Sequence, residues 1–257
     1  MRHFNRANAR YPGLWRGCIG AWAPSLQGPS GSSLRDWSGY SKNGTIVTLD
    51  PATGWNIQGG KFCLGPFSST ASVTTGVYSG LPAAGPMAVS LWVLTTASTA
   101  FLHLIGERNV SAYNWQVRFG SAGAFSFLSG AGVATNGSVP TNNQFNHLAM
   151  SMDSTGVVKL FINGTLNATS ASGQTLGTNA LYKLTIGNQM DGTQPMGGHL
   201  DDVRLYNRNL TDAEIRLLSV RRGIAYETTR DRHYKSSAGF KPHWASQRTQ
   251  IISGGTR

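Results

Sequence analysis

An all-β fold, a two-sheet antiparallel jelly-roll sandwich with one short C-terminal helix, is what this 257-residue sequence predicts. Three observations carry the prediction. Only 13% of the residues are charged while 32 are glycine, a composition of many turns and few amphipathic helices. Hydrophobic residues make up 40%, enough to fill the core of one large domain. Apolar and polar residues also alternate with period two in many segments, the mark of strands with one buried face.

The elements follow in order. Residues 18–23, 44–47 and 60–64 read as short strands. Residues 87–95 set Val89, Leu91 and Val93 on one side and Ser90, Trp92 and Leu94 on the other, both largely apolar, which suits a strand covered on both faces. Residues 101–107, 114–119 and 124–128 continue the strand series. Residues 145–152 and 157–163 are joined by Asp153-Ser-Thr-Gly156, and Asn163-Gly164 offers a type I′ turn into 165–170, because both residues tolerate positive φ; together they make a meander. Strands at 181–186 and 199–206 complete a count too large for an immunoglobulin-type sandwich. One helix is expected over 212–222, with Thr211 as N-cap, Glu214 closing a capping box, Ile215 and Leu218 on its apolar stripe and Gly223 at its end.

Charge divides the chain. The net charge is +11, yet residues 17–215 balance nine basic side chains against nine acidic ones. The excess sits in residues 1–16, with Arg2, Arg6, Arg10 and Arg16 and no acid, and in residues 216–257, with nine Lys/Arg against Glu227 and Asp231. The expected organisation is a basic N-terminal arm (1–16), a neutral jelly-roll domain (17–222) and a basic extended C-terminal arm (223–257). Arg2, Arg6, Arg10, Arg16, Arg221, Arg222, Arg230, Arg232, Lys235, Lys241, Trp244 and Arg248 are then the candidates for gripping a partner. An acidic protein surface is the favoured partner over nucleic acid, since the arginines are widely spaced and no nucleic-acid motif is present.

The start has scattered arginines and no apolar h-region, so synthesis in a cytoplasm without a secretory leader is the expectation. Residues 62–106 carry no formal charge but are interrupted by Gly, Ser, Thr and Pro too often for a membrane-spanning helix. Cys18 and Cys63 read as two buried thiols, and sequons such as Asn163-Gly164-Thr165 read as turns.

Specific motifs then add a resemblance. Gly20-Ala21-Trp22 is followed by Asp36-Trp37-Ser38-Gly39-Tyr40-Ser41-Lys42-Asn43-Gly44, then Gly60-Lys61-Phe62, the tryptophan-centred strand 89–93, Phe145-Asn146-His147-Leu148, Leu160-Phe161-Ile162-Asn163-Gly164 and Ile186-Gly187-Asn188. The closing run Leu200-Asp201-Asp202-Val203-Arg204-Leu205-Tyr206-Asn207-Arg208, with Leu210-Thr211 and Glu214-Ile215, is the most specific. Over residues 17–222 the chain resembles the laminin-G-like jelly rolls of the concanavalin A-like lectin/glucanase superfamily. The resemblance implies the sandwich, a calcium site with Asp36, Asp201 and Asp202 as its ligands, and a glycan site; the alternative for Asp36 or Asp202 is to fix a loop by accepting backbone N–H bonds. Trp55, Tyr113, Asn114 and Trp115 are the candidate sugar-binding residues, because they fall in or beside expected loops, whereas Trp22 and Trp92 read as core.

Catalysis is not expected. Retaining glycoside hydrolysis needs two carboxyl groups about 5 Å apart, and of Glu107, Glu214 and Glu227 only Glu107 is free of a cap or an arm. His147 reads as a packing residue. The chain is also similar, more loosely, to modules of tailed-phage structural proteins, through its Tyr11-Pro-Gly-Leu-Trp15 entry and basic tail. That similarity implies a non-enzymatic, multi-copy virion module, for capsid decoration or for head or tail attachment. It would be bound by its arms to a capsid or tail protein; the alternative is a free carbohydrate-binding lectin module.

Overall fold

The computed structural model describes residues 6–29, 31–50, 53–68, 70–77, 81, 85–95, 101–109, 112–130 and 132–229. Arg2, Arg230, Arg232, Lys235, Lys241, Trp244 and Arg248 lie outside the described residues.

Two antiparallel sheets face each other. The front sheet runs β11-β10-β9-β8-β15-β6-β3-β2. Its strands are β2 (Ser33–Leu34), β3 (Gly44–Val47), β6 (Ser72–Val77), β8 (Leu102–Arg108), β9 (Tyr113–Phe119), β10 (Phe125–Ser129), β11 (Gly132–Asn136) and β15 (Lys183–Ile186). The back sheet runs β14-β13-β12-β7-β16-β5-β4, with β1 also paired to β16. It comprises β1 (Cys18–Trp22), β4 (Trp55–Gln58), β5 (Lys61–Leu64), β7 (Met87–Leu94), β12 (Phe145–Met152), β13 (Val158–Ile162), β14 (Thr165–Thr169) and β16 (His199–Tyr206). The expected meander is β12-β13-β14, with Asn163 (φ 52°) and Gly164 (φ 79°) both left-handed at its second turn.

Period-two alternation builds the core. Val89, Leu91 and Val93 of β7 meet Leu104 of β8, Val117 of β9 and Phe125 and Phe127 of β10, with Trp22 and Trp115 in the same cluster. A second apolar cluster covers the outer face of the back sheet, where Ala88, Ala149, Phe161 and Tyr206 pack under Leu14, Trp15, Ile215, Leu218, Ile224 and Tyr226. The outward-facing Ala88 of β7 thus lies beneath a third layer, while Trp92 and Leu94 on the same face are half-buried.

That layer is built from the ends of the described chain. A short helix α1 (Pro24–Gln27) follows β1, and α2 (Asp212–Leu218) carries the capping box between Thr211 and Glu214. Helix α2 stops four residues earlier than expected, because the chain bends at Ser219 and Gly223 (φ 78°) opens a 3-10 turn, Ile224–Tyr226, that returns to the sheet. The 3-10 turns Arg6–Asn8 and Pro12–Trp15 lie beside it, and Ala9 bridges Thr228. Residues 6–16 and 223–229, which charge alone assigns to arms, are therefore part of the body, because Leu14, Trp15, Ile224 and Tyr226 bury apolar surface there.

Arg204 locks this layer. Its fully buried guanidinium lies 4.6 Å from the Trp15 ring and 4.4 Å from the Tyr226 ring, while Nε donates to Asp202 at 2.8 Å. The Trp15 indole donates to the Ala225 carbonyl at 2.9 Å and the Tyr206 hydroxyl to the Leu14 carbonyl at 3.1 Å. One residue more on β16 than on β7 separates Asp201 from Arg204, and this bulge holds Asp202 at φ 47°.

Candidate functional site

A pocket of about 200 Å³ opens where β8 ends and β9 begins. Its origin is a second bulge. Glu107 pairs with Trp115 and Arg108 with Tyr113, so Asn114 is the extra residue and its side chain is re-aimed. The Asn114 amide donates to Glu107 Oε2 at 2.8 Å and to the Asn179 carbonyl at 2.9 Å, and its oxygen accepts from the Asn179 N–H at 2.8 Å. This ties the 176–182 loop over the strand ends. Gly177 is required there, since a Cβ would sit 2.8 Å from the Asn114 Cα.

Leu81, Trp115, Leu176 and Tyr182 give the pocket apolar surface, and Glu107, Asn114, Thr178 and Asn179 give it polar groups. Two polar atoms of lining residues, the Trp115 indole Nε1 and Glu107 Oε1, are buried with no hydrogen-bond partner among the described residues. Glu107 is the one carboxylate among the described lining residues. Burial pushes its pKa up to about 7, opposed by the Asn114 hydrogen bond. A single carboxyl group that is half-protonated near neutrality can both donate to and accept from a hydroxyl.

The expected sugar-binding residues divide. Asn114 and Trp115 line the pocket, and half-buried Tyr113 adjoins it with its ring 5.4 Å from the Arg108 guanidinium. Trp55 is elsewhere: it begins β4, packs in the core and donates to the Gly31 carbonyl at 3.2 Å. Tyr182 and Asn179 were not legible as site residues. Neither stands in a motif, and only the bulge at Asn114 brings their loop to the strands.

The three aspartates are engaged internally. Asp36 accepts from the N–H groups of Ala21, Ser38 and Lys42 and from the Ser38 hydroxyl, all between 2.7 and 3.0 Å. It fixes the loop that precedes β3. Asp201 accepts from the N–H groups of Ser25 and Asp202 and lies 3.7 Å from Arg222; burial and then Asp202 raise its pKa to about 6. Asp202 binds Arg204 and the Gly223 N–H. Among the described residues no group of three or more His, Cys, Asp or Glu could hold a metal. Asp36 and Asp202 already take N–H, hydroxyl or guanidinium donors on both oxygens, and Asp201 faces Arg222, so this arrangement does not fit a calcium cage.

Several partner-gripping candidates are likewise held by the domain. Arg6 donates to the Ser38 and Trp15 carbonyls, Arg10 and Arg221 pair with Glu227, and buried Arg222 contacts Asp201, the Gln58 carbonyl and the Phe145 ring. Arg16 is exposed.

A second chemically suggestive pair lies on the back sheet. Ser90 Oγ is 2.9 Å from His147 Nε2, but both are sealed beneath the third layer, at 1% and 0% exposure. Burial drives the His147 pKa down to about 4, so the imidazole is neutral. The same burial raises the Cys18 and Cys63 thiols to about 11 and about 12.

A family model described as the concanavalin A-like lectin/glucanases superfamily matches residues 67–216. No curated protein matches the chain significantly. Among solved structures the chain is similar to domain 4 of AbnA, an extracellular arabinanase from Geobacillus stearothermophilus, in complex with arabinotriose (22% identity, TM-score 0.60, covering 79% of this chain and 98% of that one). It is similar to Trypanosoma rangeli sialidase (15% identity, TM-score 0.58), covering 79% of this chain but spanning only 32% of the sialidase. The binding domain of Paraclostridial Mosquitocidal Protein 1 is similar at 14% identity and TM-score 0.60, with 80% and 52% covered. At these identities the likeness shows the fold.

Proposed function

We propose a function from the premise that the chain belongs to the concanavalin A-like lectin/glucanases superfamily: it is a non-catalytic glycan-binding module whose site is the pocket at the β8–β9 bulge. The observation that carries this reading is the pocket lining, in which the apolar surface of Tyr182 and Leu81 lies beside the polar Glu107, Thr178 and Asn179. Sugar rings present an apolar face edged by hydroxyls, and such a pocket offers both surfaces. The arabinotriose complex of the similar arabinanase domain supports the substrate class. A single carboxylate among the described lining residues speaks against the retaining and inverting mechanisms that use a pair of carboxyl groups.

The test is a glycan array on the full chain, repeated with Tyr182→Ala and Asn179→Ala. Binding that both substitutions abolish supports the reading. Uniform silence, or binding indifferent to both, would overturn it.

We further propose that the module is displayed on a virion, bound through its terminal segments to a capsid or tail protein. Two facts support this. The basic excess lies at the two ends of the sequence. Those ends also leave the body side by side, since Ala9 bridges Thr228 and the Thr229 N–H donates to the Asn8 carbonyl at 2.9 Å. Deleting residues 1–5 and 230–257 should abolish incorporation into particles while leaving a folded body; unaltered incorporation would refute the anchoring.

A further inference from the structure

Beside the pocket, on the outer face of the front sheet, Arg108, Gln116 and Arg118 stand together. Gln116 and Arg118 alternate on β9, and Gly106 stands opposite Gln116, where a Cβ would be 2.6 Å from the Trp115 carbonyl oxygen. Neither arginine forms an ion pair with a carboxylate among the described residues. Arg118 is only 8% exposed, and the Nε of each arginine is buried without a partner. Glu107, the neighbour of Arg108 in sequence, is turned into the pocket on Asn114. Asp191, the acid whose charge reaches Arg108, keeps its carboxylate on the N–H and hydroxyl of Thr193.

The arginines are also held in place. His103 Nε2 lies 3.1 Å from the Thr185 carbonyl, which makes it the protonated nitrogen, and Nδ1 then accepts from the Gln116 amide at 2.8 Å. Gln116 Nε2 is further restrained by Gln194 at 3.2 Å, leaving Oε1 to accept from Arg108 at 2.6 Å. Arg118 is stacked 4.4 Å from the Phe101 ring and Arg108 5.4 Å from Tyr113. Arg118 is buried and Arg108 half-buried, and neither has a carboxylate in ion-pair contact among the described residues, a contact that an anionic ligand would supply.

We propose that Arg108 and Arg118 receive the anionic group, a carboxylate or a sulfate ester, of an acidic glycan that also enters the pocket. This rests on the glycan-binding reading and extends it to a substrate class. Guanidinium groups suit such oxyanions because they donate through a planar fork. The flanking Phe101 and Tyr113 rings supply apolar surface to either side of the charge.

The test is calorimetric titration of the full chain with three oligosaccharides of equal length: a uronate oligomer, its carboxyl-reduced neutral counterpart and a sulfated counterpart. One acidic ligand should bind about tenfold or more tighter than the neutral one at low salt, the preference shrinking as salt rises. The better acidic arm identifies carboxylate or sulfate. Arg118→Gln and Arg108→Gln should each remove most of the preference without weakening the neutral ligand, whereas Arg216→Gln, on the exposed face of α2, should change nothing. Arg118→Lys keeps the charge and loses the fork, so it should retain part of the preference and covers the case in which Arg118→Gln fails to fold. Equal binding of neutral and acidic ligands overturns this inference and leaves the glycan reading intact. An acidic preference untouched by the arginine substitutions overturns it in favour of the basic ends, and no binding in any arm overturns both readings.

Discussion

Glu107 offers a quantitative check on the pocket. The residue is 5% exposed and its pKa is raised by burial from 4.5 to about 7. An acid whose folded pKa lies above its unfolded value binds more protons in the folded state, so its stabilising contribution is complete below pH 4.5 and is lost as pH rises through 7. A rise from 4.5 to about 7 corresponds to a loss of roughly 3 kcal/mol. Glu107→Gln keeps an oxygen for the Asn114 amide and cannot ionise, so it should match the parent at pH 4.5 and outlast it by roughly 3 kcal/mol at pH 8. For a domain of this size that is a Tm difference of about 6–12 °C. Thermal unfolding of parent and variant in parallel, at half-unit steps from pH 4.5 to 8.5, isolates the term, because every other titrating group is common to both. A flat difference curve would mean that Glu107 is hydrated or paired in solution, and the account of the pocket floor would fail.

The other predictions concern what holds the site. His147 is depressed from 6.5 to about 4, so the folded state resists protonation and stability falls as pH drops through that window; His147→Gln should flatten the acid limb of the Tm–pH curve by up to roughly 3 kcal/mol. Arg204→Met leaves Asp202 buried beside an apolar chain and takes the guanidinium away from the Trp15 and Tyr226 rings, so urea unfolding should show a loss of about 3–5 kcal/mol, part of which the added Asp202→Asn restores. Thr211→Ala removes the α2 cap and should cost about 1 kcal/mol in urea with an unchanged m-value.

Alternation made the strands legible where one face is core. Residues 44–47, 145–152 and 199–206 are strands over the ranges the sequence implies. Strands β6 and β11 were not anticipated, because Ser72–Val77 and Gly132–Asn136 are rich in Ser, Thr and Gly and lack a clean apolar face. Strand β11 is an edge, where the ladder rather than side-chain burial holds the chain. Asn114 and Trp115 could be singled out as polar-aromatic neighbours, but the bulge that opens the pocket depends on pairing with β8, a long-range fact that no local pattern carries. Trp55 shows the converse: adjacency to a turn places it near a loop, while β4 pairing with β5 puts it in the core cluster that also holds Trp115.

Composition could also separate basic ends from a neutral middle, yet net charge says nothing about which apolar residues lie among the cations. Leu14 and Trp15 follow Arg10 by four and five residues and are nevertheless 2% and 3% exposed, because the back sheet presents Ala88, Ala149 and Tyr206 for them to cover. The consequence reaches function. Residues 6–16, α2 and the Ile224–Tyr226 turn occupy much of the back sheet's outer face, and Ala9 and Thr228 bring the two ends of the described chain together on that side. The proposed glycan site instead lies on the front sheet, where the bulge at Asn114 opens the Glu107 pocket and Arg108 follows Glu107 in the chain.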